Sequence, residues 1–154
     1  NKPFVWTTPS GFEVHHVYNQ VLERVSYAEL FNRQQLVFST VTEDLDGKAQ
    51  YLAISPNYIH SLDAAHMFMT ISRMLDEGMS AFSFVHDSYG TYAPDISKMH
   101  TLLREEFIKI HKENQLEKLK KEIEERYGIY LPEVPQREDG FEVEEVFESE
   151  YFFA

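Results

Sequence analysis

An α+β fold, an antiparallel sheet packed against two long helices, is what this sequence predicts, and three patterns predict it. Much of the first fifty residues alternates apolar and polar side chains at strand period. Two long stretches, from Ser55 to Glu77 and from Asp95 to Gly128, repeat apolar side chains at helical period. Between them lie two short aromatic-rich runs, Ala81–Val85 and Tyr89–Ala93, interrupted by a single carboxylate at Asp87. With 154 residues and 43% hydrophobic content the chain can bury a core of ordinary size.

The elements follow in order. Phe4 and Trp6 alternate with Val5 and Thr7, and Phe12, Val14, His16 and Tyr18 alternate with Glu13, His15 and Val17, with Thr8-Pro9-Ser10-Gly11 as the turn between two strands. Residues 19 to 33 carry no clear period. Leu36–Val41 predicts a further strand, and Thr42–Lys48 a polar loop turned by Asp46-Gly47. Ser55 then serves as N-cap with Pro56 at the first helical position, where its missing N–H costs nothing. Ile59, Leu62, His66 and Met69, widened by Phe68, Ile71 and Leu75, form the buried stripe of that helix, which stops at Gly78.

The aromatic runs pair as a hairpin, Pro94 ends its second arm, and Asp95 caps the second long helix. Ile96, Met99, Leu103, Phe107 and Ile110 are its stripe, continued by Leu116, Leu119 and Ile123, with Asn114 as a break and Gly128 and Pro132 as its end. Glu117 with Lys121, Lys118 with Glu122 and Lys121 with Glu125 are four apart and predict a solvated face. A short helical turn over Glu142–Phe147 precedes Tyr151-Phe152-Phe153-Ala154, and three adjacent aromatic residues predict a chain end that docks. The organisation is a body over residues 1–132 and an acidic tail over residues 133–154.

Composition removes several function classes. The absence of cysteine excludes a disulfide framework, thiolate zinc sites and a cysteine nucleophile, and fits an intracellular protein. No apolar run approaches the roughly 18 residues that span a bilayer, so no membrane role is expected. Glycine-rich phosphate loops, a G-x-S-x-G elbow and a serine triad are missing. The net charge of −12 argues against phosphate binding, yet eight acids against Arg137 alone between Glu133 and Glu150 place −7 of it in the tail. Charge therefore leaves a nucleic-acid partner open. The chain begins at Asn1 on the apolar run Pro3–Trp6, as the middle of a longer protein would.

Three side chains are candidates for chemistry. Asp87 is either a turn former or a hard oxygen ligand for Mg²⁺ held at a strand tip. A two-metal site needs a second carboxylate nearby, and Asp44, Asp46 and Asp63 fall in a loop and a helix. His60 and His66, six residues apart, point about 120° apart on a helix and cannot chelate one metal. His66 belongs to the apolar stripe as a hydrogen-bonded core histidine, whereas His60 is exposed enough for a ligand contact. Of His15 and His16, on alternate faces of a strand, one at most faces inward.

The stretches WTTPSGFEV (Trp6–Val14), SPNYIHSLDAAHM (Ser55–Met67), VHDSYGT (Val85–Thr91) and ESEYFFA (Glu148–Ala154) resemble, in this order, the C-terminal part of the single-subunit, bacteriophage-type DNA-directed RNA polymerases. Mitochondrial and chloroplast enzymes belong to that family. The resemblance spans essentially the whole chain; Glu13 departs from it, standing where relatives often have proline.

It implies a palm-type antiparallel sheet with a catalytic hairpin, and ribonucleotide addition through two Mg²⁺ ions held by two aspartates. Asp87 matches the second of these, a catalytic residue and metal ligand, and His86 the adjacent histidine near the RNA 3′ end. His60 matches a nucleotide-site histidine near the ribose 2′-OH, a group that both donates and accepts hydrogen bonds. Phe153 and Ala154 match a chain end that folds back toward the active site.

The first aspartate and the fingers lysine lie outside this chain, so alone it is expected neither to polymerise RNA nor to hold Mg²⁺ tightly. The implied partners are template DNA, nascent RNA and ribonucleoside triphosphates, with self-association through uncovered faces. The implied location is a bacterial cytoplasm for a phage or prophage enzyme, otherwise a mitochondrion or plastid. The rival reading is a free-standing palm-like interaction module without catalysis.

Overall fold

The computed structural model describes residues 2–28, 34–85, 87–135 and 142–152. They gather into two units, Asn1–Val5 with His15–Asn57, and Trp6–Val14 with Tyr58–Ala154. The predicted first turn closes β1 (Phe4–Thr7) onto β2 (Glu13–His16). Thr8 N donates to Phe12 O at 2.9 Å, and Gly11 takes the positive φ of 85° that the turn demands.

In the first unit β3 (Asn19–Ala28) pairs antiparallel with β4 (Gln34–Leu45), with Val25 opposite Val37 and Val21 opposite Val41. β3 occupies most of the region left unassigned by period. Its apolar side chains Val21, Val25 and Tyr27 share one face while Leu22 takes the other, so neither face dominates the sequence. β4 runs past the expected end at Val41 because Thr42 Oγ1 donates to Gln20 O (3.0 Å) and Asp46 N to Tyr18 O (2.8 Å). Eight apolar side chains of this ribbon are 43–66% exposed, which leaves it without a core of its own.

The first long helix, α1 (Gly47–Asp76), starts eight residues before the expected cap at Ser55. Asp46 is the true cap: its Oδ1 accepts from Lys48 N (3.0 Å) and Ala49 N (2.9 Å), as an N-cap carboxylate does. Pro56 consequently sits inside the helix, where it cannot donate to the carbonyl of Leu52. Asp46-Gly47 is thus a helix start and not a loop turn. The end is as expected, with Gly78 at φ 78° donating to Leu75 O at 2.9 Å.

The buried face of α1 also differs from the expected stripe. Tyr58, Ser61, Leu62, Ala65, His66, Thr70 and Met74 are buried, while Ile59, Phe68 and Leu75 are half exposed. The helix is apolar over more than half its circumference, so period alone does not choose the side that packs. Neighbouring elements choose it. Trp6, Tyr58 and Leu62 cluster with Val14 and Leu119; Met74 clusters with Met79, Met99, Leu102 and Leu103.

Against the second cluster packs the hairpin of β5 (Phe82–Val85) and β6 (Ser88–Thr91), through Phe82, Phe84 and Tyr89. A 3₁₀ turn (Ala93–Asp95) leads into α2 (Ile96–His111), and Asp95 holds the cap position without a side-chain capping bond. Asn114 does break the helix, capping α3 (Gln115–Tyr127) by accepting from Leu116 N and Glu117 N at 3.1 and 3.2 Å. Such a cap contributes about 1 kcal/mol. Gly128, at φ 65°, ends α3. The expected pair of Lys118 with Glu122 does not form: Glu122 takes Arg126 (3.0 Å) and the Thr7 N–H and hydroxyl, and Lys118 pairs with Glu113.

The coarse α+β class holds, but the single antiparallel sheet does not. Among the described residues the strands form three separate two-stranded ribbons, β1–β2, β3–β4 and β5–β6. Strand period fixes which side chains share a face and is silent on lateral partners, which here are all hairpin neighbours.

Candidate functional site

Asp87 stands where the sequence places it, in the two-residue turn of the β5–β6 hairpin, between the facing pair Val85 and Ser88. The hairpin is fixed by its inward side chains. The Phe84 and Tyr89 rings meet edge to face at 5.2 Å across the strands, Phe82 lies 5.4 Å from Phe84, and Thr91 Oγ1 donates to Ala81 O at 2.7 Å to close its base. His86 lies outside the described residues, as do Phe153 and Ala154.

Asp87 borders a cleft of about 750 Å³ that α1 lines with His60, Asp63, His66 and Met67, the hairpin with Phe84 and Tyr89, and α2 with Phe107 and His111. His60 and Asp63 are exposed and lie three residues apart on one helical face. His60 thus shares a cleft with Asp87. Asp63, set aside on sequence as a helix residue, shares it too. Their i, i+3 spacing was the available signal.

Tyr89 registers both carboxylates: burial, then Asp63 and Asp87, push its phenol up to about 12. Tyr89 therefore stays a neutral hydroxyl. Among the described residues no three His, Asp or Glu side chains gather closely enough to hold a metal ion. The donor chemistry at Asp87 fits Mg²⁺ as one hard oxygen ligand, not as a complete site.

His66 is the buried histidine the apolar stripe predicts. Its Nε2 lies 2.8 Å from Leu103 O, and since a carbonyl only accepts, Nε2 carries the hydrogen. Nδ1 then faces the Tyr89 hydroxyl, 3.4 Å away, with its lone pair. Tyr89, His66 and Leu103 so tie β6, α1 and α2 together beneath the cleft. His16, in the first unit, is also structural: Nε2 donates to Gln50 O at 2.9 Å and Nδ1 accepts from Asn57 at 3.2 Å.

Burial holds His66 below its ordinary value of 6.5, against the raising influences of Leu103 O, Glu106 and Asp63. The unfolded chain therefore takes up this proton first as the medium is acidified. The stability His66 contributes is whole above pH 6.5 and is lost as pH falls from there through the lower folded value. Urea midpoints measured between pH 7.5 and 5 should fall, and less steeply for His66→Gln. Identical pH dependence in the two proteins would rule this out.

The chain end docks in part. Phe152 packs at 5.0 Å against Phe107, whereas Tyr151 is 75% exposed and does not join it. No helix among the described residues is long and apolar enough to cross a membrane.

The family model of DNA-dependent RNA polymerase matches residues 1–131. Over 99% of its length the chain is 39% identical to DNA-directed RNA polymerase 2A of Nicotiana tabacum, covering 45% of that protein. It is 37% identical over the same share to DNA-directed RNA polymerase 1A of the same plant, covering 96% of it. Against the mitochondrial DNA-directed RNA polymerase 1 of Arabidopsis thaliana it is again 37% identical and spans 15% of the relative's length.

Proposed function

The chain belongs to the phage-type, single-subunit DNA-dependent RNA polymerase family, and from that premise we propose that it is the C-terminal part of such an enzyme, bringing one catalytic carboxylate to template-directed ribonucleotide addition. The observation that carries the reading is Asp87: an exposed acid at a rigid hairpin tip, over a cleft that also presents His60 and Asp63. A carboxylate at the turn of a hairpin held by the Phe84–Tyr89 contact keeps a fixed direction, which phosphoryl transfer needs because its catalysis is largely positioning and charge.

Mg²⁺, when bound, offsets the charge on the attacking and leaving oxygens of the in-line displacement. Asp87 would hold it from one side, with further ligands from parts of the enzyme beyond this chain. His60, at the exposed lip, would contact the ribose 2′-OH of the incoming nucleotide, and the resemblance assigns His86 to the RNA 3′ end. The resemblance assigns Phe153 and Ala154 to a chain end that folds back toward the active site. Relatives named chloroplastic or mitochondrial favour an organelle over a bacterial cytoplasm as the location.

The test is an incorporation assay on the purified 154-residue chain and on a full-length polymerase that carries it. The full-length protein should add ribonucleotides in a template- and Mg²⁺-dependent way, and the chain alone should add none. Incorporation by the chain alone, or none by the full-length protein, overturns the reading.

A further inference from the structure

Arg104, on α2, is a buried cation that no ion pair among the described residues neutralises. Only 5% of it is exposed. Carbonyl dipoles and the His100 imidazole, whose Nε2 lies 2.7 Å from Nη1, take the place of a carboxylate. Nε donates to Val146 O (3.1 Å), Nη2 to Ser149 O (2.7 Å) and Nη1 to His100 O (3.3 Å), while the guanidinium carbon lies 5.5 Å from the centre of the Phe152 ring. Two of these acceptors belong to the end of the 3₁₀ helix Val143–Phe147 and the turn after it. The planar fork of arginine suits such divergent acceptors, and the point charge of lysine does not.

The docked segment reaches the cleft by direct contact. Val143 and Val146 cluster with Ile108, and Phe107 and Phe152 pack against them. The Phe107 ring in turn lies 4.3 Å from His111 and 5.7 Å from His66, and all three line the cleft that Asp87 borders. We propose that Arg104 is the latch of this segment and, through Phe152 and Phe107, a positioning residue for the rear wall of the cleft. Its catalytic consequence rests on the proposed function; its structural consequence does not.

The histidines report the latch. Burial lowers both His66 and His111, and His66 lowers His111 further, against Leu103 O, Glu106 and Asp63 for His66 and Asp63 for His111. Loss of Phe152 from Phe107 hydrates that wall, so both rings should titrate at higher pH. The experiment compares Arg104→Met, which keeps the apolar stem, with Phe152→Ala in the 154-residue chain by NMR titration of the histidine rings and by amide exchange.

Arg104→Met should speed exchange of the Glu148 and Ser149 amides about tenfold or more and raise both midpoints. Phe152→Ala should raise the midpoints without that acceleration. Unchanged exchange in Arg104→Met removes the latch; faster exchange with unchanged midpoints removes the positioning role. If Arg104→Met does not fold, unchanged midpoints in Phe152→Ala overturn the proposal. In the full-length polymerase Phe152→Ala should lower kcat several-fold with KM for nucleotide unchanged, and a KM change alone counts against positioning. Absence of wild-type turnover counts against the proposed function and leaves the titrations standing.

Discussion

Asp87→Asn, introduced into a full-length polymerase that carries this chain, should cut nucleotide addition about a thousandfold or more while template binding and thermal stability stay near those of the parent. The substitution separates the two roles that an acid at a hairpin tip can play. Asparagine is at least as good a turn residue as aspartate, so the pairing of Val85 with Ser88 and the Phe84–Tyr89 contact should persist. What it lacks is the charge, and a neutral amide is a poor ligand for a hard dication. If Asp87 only closed the turn, the variant would elongate nearly as well as the parent. Elongation within a few-fold of wild type, in a protein that melts at the parent's temperature, would therefore remove Asp87 from the chemistry.

The legible parts of this protein are those where a local rule decides. The hairpin tip at Asp87, the break at Asn114, the stops at Gly78 and Gly128 and the buried state of His66 each follow from a few neighbouring residues, and the structure has them. The parts misread are those where two local rules compete or a distant partner chooses. Ser55-Pro56 is a good helix start by composition, yet Asp46 caps first and the helix runs through the proline. Ile59, Phe68 and Leu75 share the period of a buried stripe, but Trp6, the hairpin and α2 pack on a face rotated from them.

The same distinction governs the cleft. His60 and Asp63 are visibly on one face of one helix, and Asp87 is visibly at a strand tip, but only the packing of the hairpin against α1 and α2 brings them to one cavity. Phe107 and His111 carried no signal of their own, since aromatic and histidine side chains on an apolar stripe are most often core. A carboxylate pair across two elements, such as Asp63 with Asp87, is invisible to period and spacing.

Trp6→Ala should destabilise the second unit by about 3–5 kcal/mol, the largest loss expected from any single truncation here. Trp6 is 1% exposed, meets the Tyr58 ring edge-on at 5.9 Å, and donates from Nε1 to Ser61 Oγ at 3.0 Å. Ser61 Oγ itself donates to Tyr58 O at 2.7 Å, so removing the indole leaves this hydroxyl one partner, and the cavity dominates the loss. Trp6→Phe keeps much of the ring volume and forfeits the N–H bond, which predicts a smaller loss of about 1–2 kcal/mol. Because Trp6 is the chain's single tryptophan, urea unfolding has to be followed by circular dichroism. A loss below about 1 kcal/mol for Trp6→Ala would mean that this cluster is not a core. The cluster matters for the cleft because Tyr58 and Leu62 alternate along α1 with His60 and Asp63. A helix turn held on one side by Trp6 cannot rotate without carrying both polar side chains out of register with Asp87. Stability of the indole pocket and geometry of the cleft should therefore fail together, with Trp6→Ala weakening nucleotide addition at temperatures where the protein is still folded.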